Sequence, residues 1–293
     1  MAAQAFSIES SVSRAEDDRI RQSCGFYACP TCKQDLEPAY DGLSCRVCKR
    51  IYPILSGIPD FIVINLEESR NGTLHMVGKR DTGTLLNFAA SVYESCVYPV
   101  VCNLYGGWRS TSLKELAREV TDIVGSQGGF ILDVACGPGT YGRRIASESR
   151  TVLGVDVCMS MLRRGARYVE RGRIPNVHFA RALVEALPFR AGLFDAAICA
   201  GSLNHFSDTV LALREIGRTM KDGAPLAVMC FAAGSKGLFK YRFLREAAEK
   251  RGGHIFELPD LERYAAEAGF ESFSLRAYGS IVVCNARKRP AVH

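Results

Sequence analysis

Residues 131–146 read "ILDVACGPGTYGRRIA", and this stretch decides the fold. Its apolar opening has the length of a short buried strand and ends at Asp133. Gly137 and Gly139 flank Pro138 in a turn that lets the chain bend sharply and lets a ligand approach the backbone at the carboxyl end of that strand. A helix is expected to begin near Thr140. The third glycine of a dinucleotide fingerprint is displaced, so that helix need not cradle a pyrophosphate.

Outward from this unit the pattern repeats. "LKELAREVTDIV" before it has helical spacing, and "TVLGVDV", "NVHFARA", "FDAAICA" and "APLAVMCF" after it read as strands, most of them separated by enough chain for a helix. "VLALREIGRTM" places Val210, Leu213, Ile216 and Met220 on one helical face, with Asp208 placed to cap it. The closing "FESFSLRAYGSIVVCNARK" reads as two strands joined near Gly279, a hairpin at a sheet edge. Alternation of this kind predicts an α/β fold: a Rossmann-like, doubly wound, mostly parallel seven-stranded sheet with an antiparallel C-terminal hairpin. Asp156 ends the second strand, where a carboxylate can accept hydrogen bonds from both hydroxyls of a ribose.

The N-terminal region obeys different chemistry. "CPTCKQDLEPAYDGLSCRVC", residues 29–48, holds two Cys-x-x-Cys pairs. Each pair puts two thiolates on one tight turn, and Cys29, Cys32, Cys45 and Cys48 together make a four-thiolate site suited to tetrahedral zinc. The competing assignment is a pair of redox dithiols. With all four positions filled by protein, the metal is structural. The expected organisation is a polar arm over 1–23, a zinc ribbon over 24–64, a linker with lid helices over 65–112, and the α/β domain over 113–293.

Bulk composition sets limits. A net charge of +6 is mildly basic, which fits an anionic small molecule or RNA without requiring either. The first twenty residues carry Glu9, Glu16, Asp17 and Asp18 and no apolar run, so neither a secretory signal nor an organellar transit peptide is expected. No apolar run reaches the roughly 18 residues of a membrane span. Twelve cysteines without an export signal predict a reduced, cytoplasmic protein.

The succession "ILDVACGPG", "GVDVCMSML", "VEALPF", "FDAAICAGSLNHF" and "REIGRTMKDGAPLAVM" resembles the class I S-adenosylmethionine-dependent methyltransferases, in particular the ubiquinone and menaquinone biosynthesis branch, over about 128–283. That resemblance implies S-adenosylmethionine as cofactor. It implies that Asp133 orients the amino end and that Ala135 and Gly137, with Gly139 in the same turn, line the methionine portion. Asp156 would hold the ribose, Met159 would pack on the adenine, the backbone of Val184 would read its edge, and the Ala200 carbonyl would face the cofactor's amino group. The family often has an acidic residue at the position of Leu183, so side-chain selection of adenine is altered here. Residues 29–61 resemble the zinc ribbon of the small activator subunit that partners tRNA and protein methyltransferases.

For the methyl acceptor, His205 in "GSLNHF" is the candidate general base. The apolar stretch "LLNFAASVYESCVYPVVCNLYGGW" resembles lid helices, with Tyr93 and Tyr105 placed to exclude water, and "LYGGWRS" is similar to an element of ribbon-bearing plant plastid methyltransferases. "GSKGLFKYRFLREAAEKRGGH" brings Lys236, Lys240, Arg242, Arg245, Lys250 and Arg251, either a solvated helix face or an anion site. The expected partner is a small-molecule acceptor, mostly apolar with an anionic group, methylated on carbon or oxygen. The alternative is an rRNA or tRNA base, because the ribbon-then-methyltransferase order resembles large-subunit rRNA guanine methyltransferases. Neither the acceptor nor the oligomeric state is specified by these residues.

Overall fold

The computed structural model describes residues 24–40, 42–62, 113–125, 128–147, 150–234, 238–250 and 253–291. The arm, the linker and the lid stretch that carries Tyr93 lie outside them.

The main sheet runs through β5 (Gly129–Val134), β6 (Arg150–Asp156), β7 (Val177–Arg181), β8 (Ala196–Ala200), β9 (Pro225–Ala233), β11 (Phe270–Tyr278) and β12 (Ile281–Lys288), in the order β11-β12-β9-β8-β5-β6-β7. The first five are parallel to one another, whereas β12 runs antiparallel to both β9 and β11. The expected architecture is therefore present. The two-residue β10 (Phe256–Glu257) adds an eighth strand beside the end of β9. Strand order reverses between β5 and β8, and a reversal of this kind opens a crevice at the carboxyl ends of the strands.

Alternation along each strand builds two faces. Ile131, Val152, Ile198 and Ala227 pack with Leu116 and Val120 of α1 (Leu113–Val124), and with Leu162 of α3 (Met159–Gly172). Leu132, Leu153, Ala197 and Leu226 face the other way, toward Leu213 and Ile216 of α4 (Thr209–Thr219) and Leu261 of α6 (Leu258–Glu267). A parallel sheet covered on both faces needs such continuous apolar strands. Asp208 caps α4 as expected, its carboxylate accepting from the Leu211 amide at 2.8 Å.

One helix is shorter than the sequence suggests. The helix expected from Thr140 is a single turn, α2 (Gly142–Ile145). Ala146 leaves helical geometry at ψ 135°, and Ser147 and Arg150 exchange backbone hydrogen bonds that lead straight into β6. That local pairing satisfies the amides that a longer helix would have used.

The cysteine module forms a small antiparallel sheet, β1 (Leu36–Ala39), β2 (Gly42–Cys45), β3 (Ile51–Leu55) and β4 (Ile58–Pro59). It is not a free-standing bead. Tyr27, Leu43, Tyr52 and Phe61 belong to the same apolar cluster as Leu187, Phe189 and Phe194 of the large domain. Tyr27 stacks on Phe189 at 5.6 Å between ring centroids. Asp60 bridges Arg181 in parallel register, so the module covers the open edge of β7. An edge strand left bare presents unpaired backbone groups for aggregation, and the module removes that hazard.

Candidate functional site

The two knuckles are built alike. The Lys33 amide bonds the Cys29 carbonyl at 2.8 Å, and the Lys49 amide bonds the Cys45 carbonyl at 2.9 Å. Both lysines take left-handed backbone angles, φ 62° and 59°. These paired turns bring the sulfurs of Cys29, Cys32, Cys45 and Cys48 within 4.8 Å of one another. Cys29 and Cys48 lie 3.9 Å apart, Cys32 and Cys45 3.5 Å. A tetrahedral zinc with thiolates at about 2.3 Å has sulfur–sulfur edges of about 3.8 Å, so the four residues fit that ion. The Tyr52 hydroxyl stands 3.1 Å from the Cys29 sulfur and is itself buried, which fixes one ligand from behind. Cys29, Cys32, Cys45 and Cys48 are all free thiols.

The second site lies at the ends of β5 and β6. Asp133 is buried and its carboxylate accepts from the Gly142 amide at 3.0 Å. Asp156 accepts from the Gly137 amide and from the Cys158 amide, each at 2.8 Å. Thus Asp156 fastens the glycine turn to the loop that opens α3. Burial pushes the Asp133 carboxyl up to about 7, against the Gly142 hydrogen bond and helped by the nearby Asp156 charge. Burial also raises Asp156, opposed by the backbone amides of Cys158, Gly137 and Val157. Neither carboxylate forms an ion pair with a described residue. Two buried carboxylates with no cationic partner among the described residues make a site that favours a positively charged ligand, whose charge would draw both toward the ionised form.

The backbone in front of them is open. A Cβ built on Gly137 would meet nothing within 4 Å, whereas one on Gly139 would strike the Phe179 ring at 2.9 Å. Gly137 therefore leaves room for a ligand, and Gly139 is required for packing under the turn at φ 74°. Ala135 sits at φ 50°, a strained angle for a residue with a side chain. Asp133, Ala135, Gly137, Tyr141, Ala200 and Ser202 line a cleft of about 30 Å³ at this point. A roomier cavity of about 420 Å³ lies between the Ser56–Gly57 turn, α3 and β7, but none of the strand-end carboxylates lines it. The chemistry belongs with the carboxylates and the glycine turn.

The remaining expected residues are placed as follows. Met159 is the first residue of α3 and is buried in the apolar cluster that includes Leu162 and Phe179. Val184 is buried in the 3-10 turn Val184–Ala186, and Ala200 ends β8. His205 is exposed on the 3-10 turn Leu203–His205, just past β8. Of the basic insertion, Arg242 pairs with Glu246 at 2.8 Å and Arg245 pairs with Glu257. Those two are matched charges on and beside α5 (Arg242–Glu249), which favours the solvated-face assignment. Lys236 and Arg251 lie outside the described residues.

Asn204 was not singled out by the sequence. It is buried, donates to the Phe231 carbonyl at 2.7 Å and the His254 carbonyl at 2.5 Å, and accepts from the Phe231 amide at 2.7 Å. It thereby pins the turn bearing His205 to β9. Asn204→Ala would remove the partner of three part-buried backbone hydrogen bonds and is expected to destabilise the protein by about 1–3 kcal/mol, read as a shift in urea midpoint with unchanged slope. A midpoint like that of the wild type would remove this role.

Comparison with known proteins now bears on this geometry. Residues 131–223 match the family described as "Methyltransferase domain". The ubiquinone/menaquinone biosynthesis C-methyltransferase UbiE of Azotobacter vinelandii is 36% identical over 192 residues, covering 61% of this chain and 74% of that protein. The chain belongs to the class I S-adenosylmethionine-dependent methyltransferases. The UbiE of Serratia proteamaculans is 33% identical over 152 residues, covering 48% of this chain and 59% of that protein. The chain spans about three fifths of the length of the first curated relatives it matches. Among solved structures, the [4+2]-cyclase SpnF superposes with a TM-score of 0.55 at 21% identity, over 70% of this chain and 94% of that one. A likeness at that identity shows the methyltransferase fold alone, and a cyclase that bears it illustrates that fold does not dictate reaction.

Proposed function

We propose that the protein transfers a methyl group from S-adenosylmethionine to carbon or oxygen of a small-molecule biosynthetic intermediate, with a structural zinc ion in its N-terminal ribbon. The observation that carries this reading is the pair of carboxylates, Asp133 and Asp156, held by backbone amides and without an ion-pair partner among the described residues, at the ends of adjacent strands beside an open glycine turn. S-adenosylmethionine bears a sulfonium and an ammonium, and when bound supplies an electrophilic methyl. Asp133 and Ala135 would hold the methionine end, Asp156 the ribose, and Val184 with Met159 the adenine side. Gly137 lets the backbone come close, and the Ala200 carbonyl closes the β8 side. His205, past the end of β8, would take the acceptor's proton on its ring nitrogen, and Tyr93 would exclude water. The two UbiE relatives, both C-methyltransferases, support transfer to carbon of a small molecule.

One observation favours the RNA alternative. Arg163, Arg167 and Arg171 follow one another at four-residue spacing on α3, are exposed, and form no ion pair among the described residues. Such a stripe suits a phosphate backbone. No helix among the described residues is long and apolar enough to cross a membrane.

The deciding experiment is transfer of labelled methyl from S-adenosylmethionine to a metabolite extract and, in parallel, to rRNA. Label in a small molecule supports the proposal, whereas robust label in rRNA with a blank extract replaces it with the alternative. In the first case His205→Ala is expected to lower the maximal rate by about 10²–10⁴-fold with little change in cofactor affinity.

Cofactor binding should also depend on pH. Asp133, raised to about 7 by burial, must be ionised to attract a cation. Affinity for S-adenosylmethionine is expected to rise with pH and level off above 8, and to weaken by up to about tenfold per unit below 7. For the ligand-free fold the sign is opposite: a carboxyl with a raised folded pKa contributes stability that is full below its unfolded pKa and lost as pH rises through 7. Titration calorimetry from pH 6 to 8 checks the first; a flat profile would show that Asp133 does not gate the site.

A further inference from the structure

The four-cysteine module lies along β7 and also grips the segment between β7 and β8 that carries Val184. At its entry, the Phe61 amide donates to the Arg181 carbonyl at 2.8 Å. The Arg181 guanidinium donates to the Asp60 carboxylate at 3.0 Å and to the Val157 carbonyl at 2.8 Å. Val157 follows Asp156 directly. Asp60 is itself tied down, its other oxygen accepting from the Ile62 amide at 3.0 Å and its own amide donating to the Pro53 carbonyl at 2.8 Å. The side chains of Arg181 and Asp60 are 14% and 10% exposed, so this ion pair is shielded from solvent. At the exit of the segment, the Ala28 amide donates to the Pro188 carbonyl at 2.9 Å. Lys33, the last residue of the first knuckle, reaches Glu215 of α4 at 2.5 Å and the Leu187 carbonyl at 3.4 Å.

We propose that the module is a splint for the adenine side of the cofactor site: it clamps residues 182–187 at both ends and, through Asp60, Arg181 and the Val157 carbonyl, steadies the loop that directly follows Asp156. Asp60, Arg181 and Lys33 are positioning residues. They act on cofactor affinity through backbone they hold, without being ligands of either metal or cofactor. The metal enters because Cys29 and Cys32 lie in the same knuckle as Lys33, so a loosened knuckle loosens the exit clamp. This deepens the methyltransferase reading and rests on it. The physical basis is pre-organisation: a segment held before binding loses less freedom on binding.

The test uses the full-length protein with Asp60→Asn and, separately, Lys33→Met, which leaves the Asp60–Arg181 pair intact should the first variant fold poorly. Each variant is expected to keep the metal content of the wild type. Each should show faster amide hydrogen exchange over 182–187, with protection of β5 unchanged. The dissociation constants for S-adenosylmethionine and for methylthioadenosine, which lacks its amino-acid portion, should rise together, by about 5- to 20-fold, and Asp60→Glu should recover part of the loss. Exchange over 182–187 unchanged in both variants, or equal affinities beside a wild type that binds, overturns the splint while leaving the methyltransferase reading standing. A weakened S-adenosylmethionine with an unchanged methylthioadenosine also overturns it, because the effect would then lie at the methionine end. A wild type that binds neither compound defeats the underlying reading and the splint with it.

Discussion

Replacing Cys45 by serine is expected to strip the metal from the protein and to lower its stability by at least about 3 kcal/mol, a fall in melting temperature of roughly 6–12 °C for a domain of this size. Cys45 is 1% exposed and sits in the cluster that joins Tyr52 and Phe61 to Leu187 and Phe189. A hydroxyl is a poor substitute for a thiolate, and three remaining thiols cannot close a tetrahedral cage. Metal binding in such modules is folding free energy, so the knuckles lose their geometry when the ion leaves. The damage then spreads, because Tyr27 stacks on Phe189 of the large domain and Phe61 packs on Tyr27 within the same cluster, and a fully buried Phe is worth about 1.5–3 kcal/mol. Elemental analysis of protein purified without chelators should find one zinc per chain in the wild type and close to none in the variant. A metal-free wild type, or a variant that melts with it, would reject the assignment.

Asp156→Ala is expected to weaken S-adenosylmethionine binding by more than 100-fold, about 3–4 kcal/mol. Loss of charged hydrogen bonds to a ribose explains only part of this. The same carboxylate holds the amides of Gly137 and Cys158, so its removal leaves two donors without their acceptor and frees the turn that faces the ligand. Asp156→Asn keeps one accepting oxygen and should fall between. Calorimetry at pH 8, where Asp133 is ionised, separates the three proteins. Near-equal affinities for wild type and Asp156→Ala would show that neither the carboxylate nor its hold on the turn contributes to cofactor binding. Binding of NAD in place of the sulfonium compound would defeat the site assignment altogether.

Much of this site was legible in one dimension because its parts are local. The Cys-x-x-Cys pairs declare their ligands by spacing, and the structure brings all four sulfurs together. Asp133 and Asp156 were legible because each ends a short apolar run, and a residue at the end of a buried parallel strand points into the crevice. Asp208 declared its cap by preceding a helical apolar period. The single-turn α2 was not legible, since "TYGRRIA" has nothing against a longer helix until the Ser147–Arg150 pairing is seen. Asn204 was hidden for a related reason: its partners, Phe231 and His254, lie 27 and 50 residues away.

The amino-acid sequence by itself determined the element order, the two-faced parallel sheet, the pairing of the four cysteines and the glycine turn, because each depends on periodicity or on spacing within a few residues. Only the tertiary structure decided where the cysteine module sits and what it holds. "Asp60" and "Arg181" are ordinary charges on paper, and so are Lys33 and Glu215. Their meaning comes from pairings across 121 and 182 residues of chain, made when apolar burial of Tyr27 and Phe61 draws the module onto the β7 edge. Burial is non-directional and acts through total area, so the sequence announces that these rings will be covered without saying by what. The hydrogen bonds that follow are directional, and they exist only once the covering surface has been chosen.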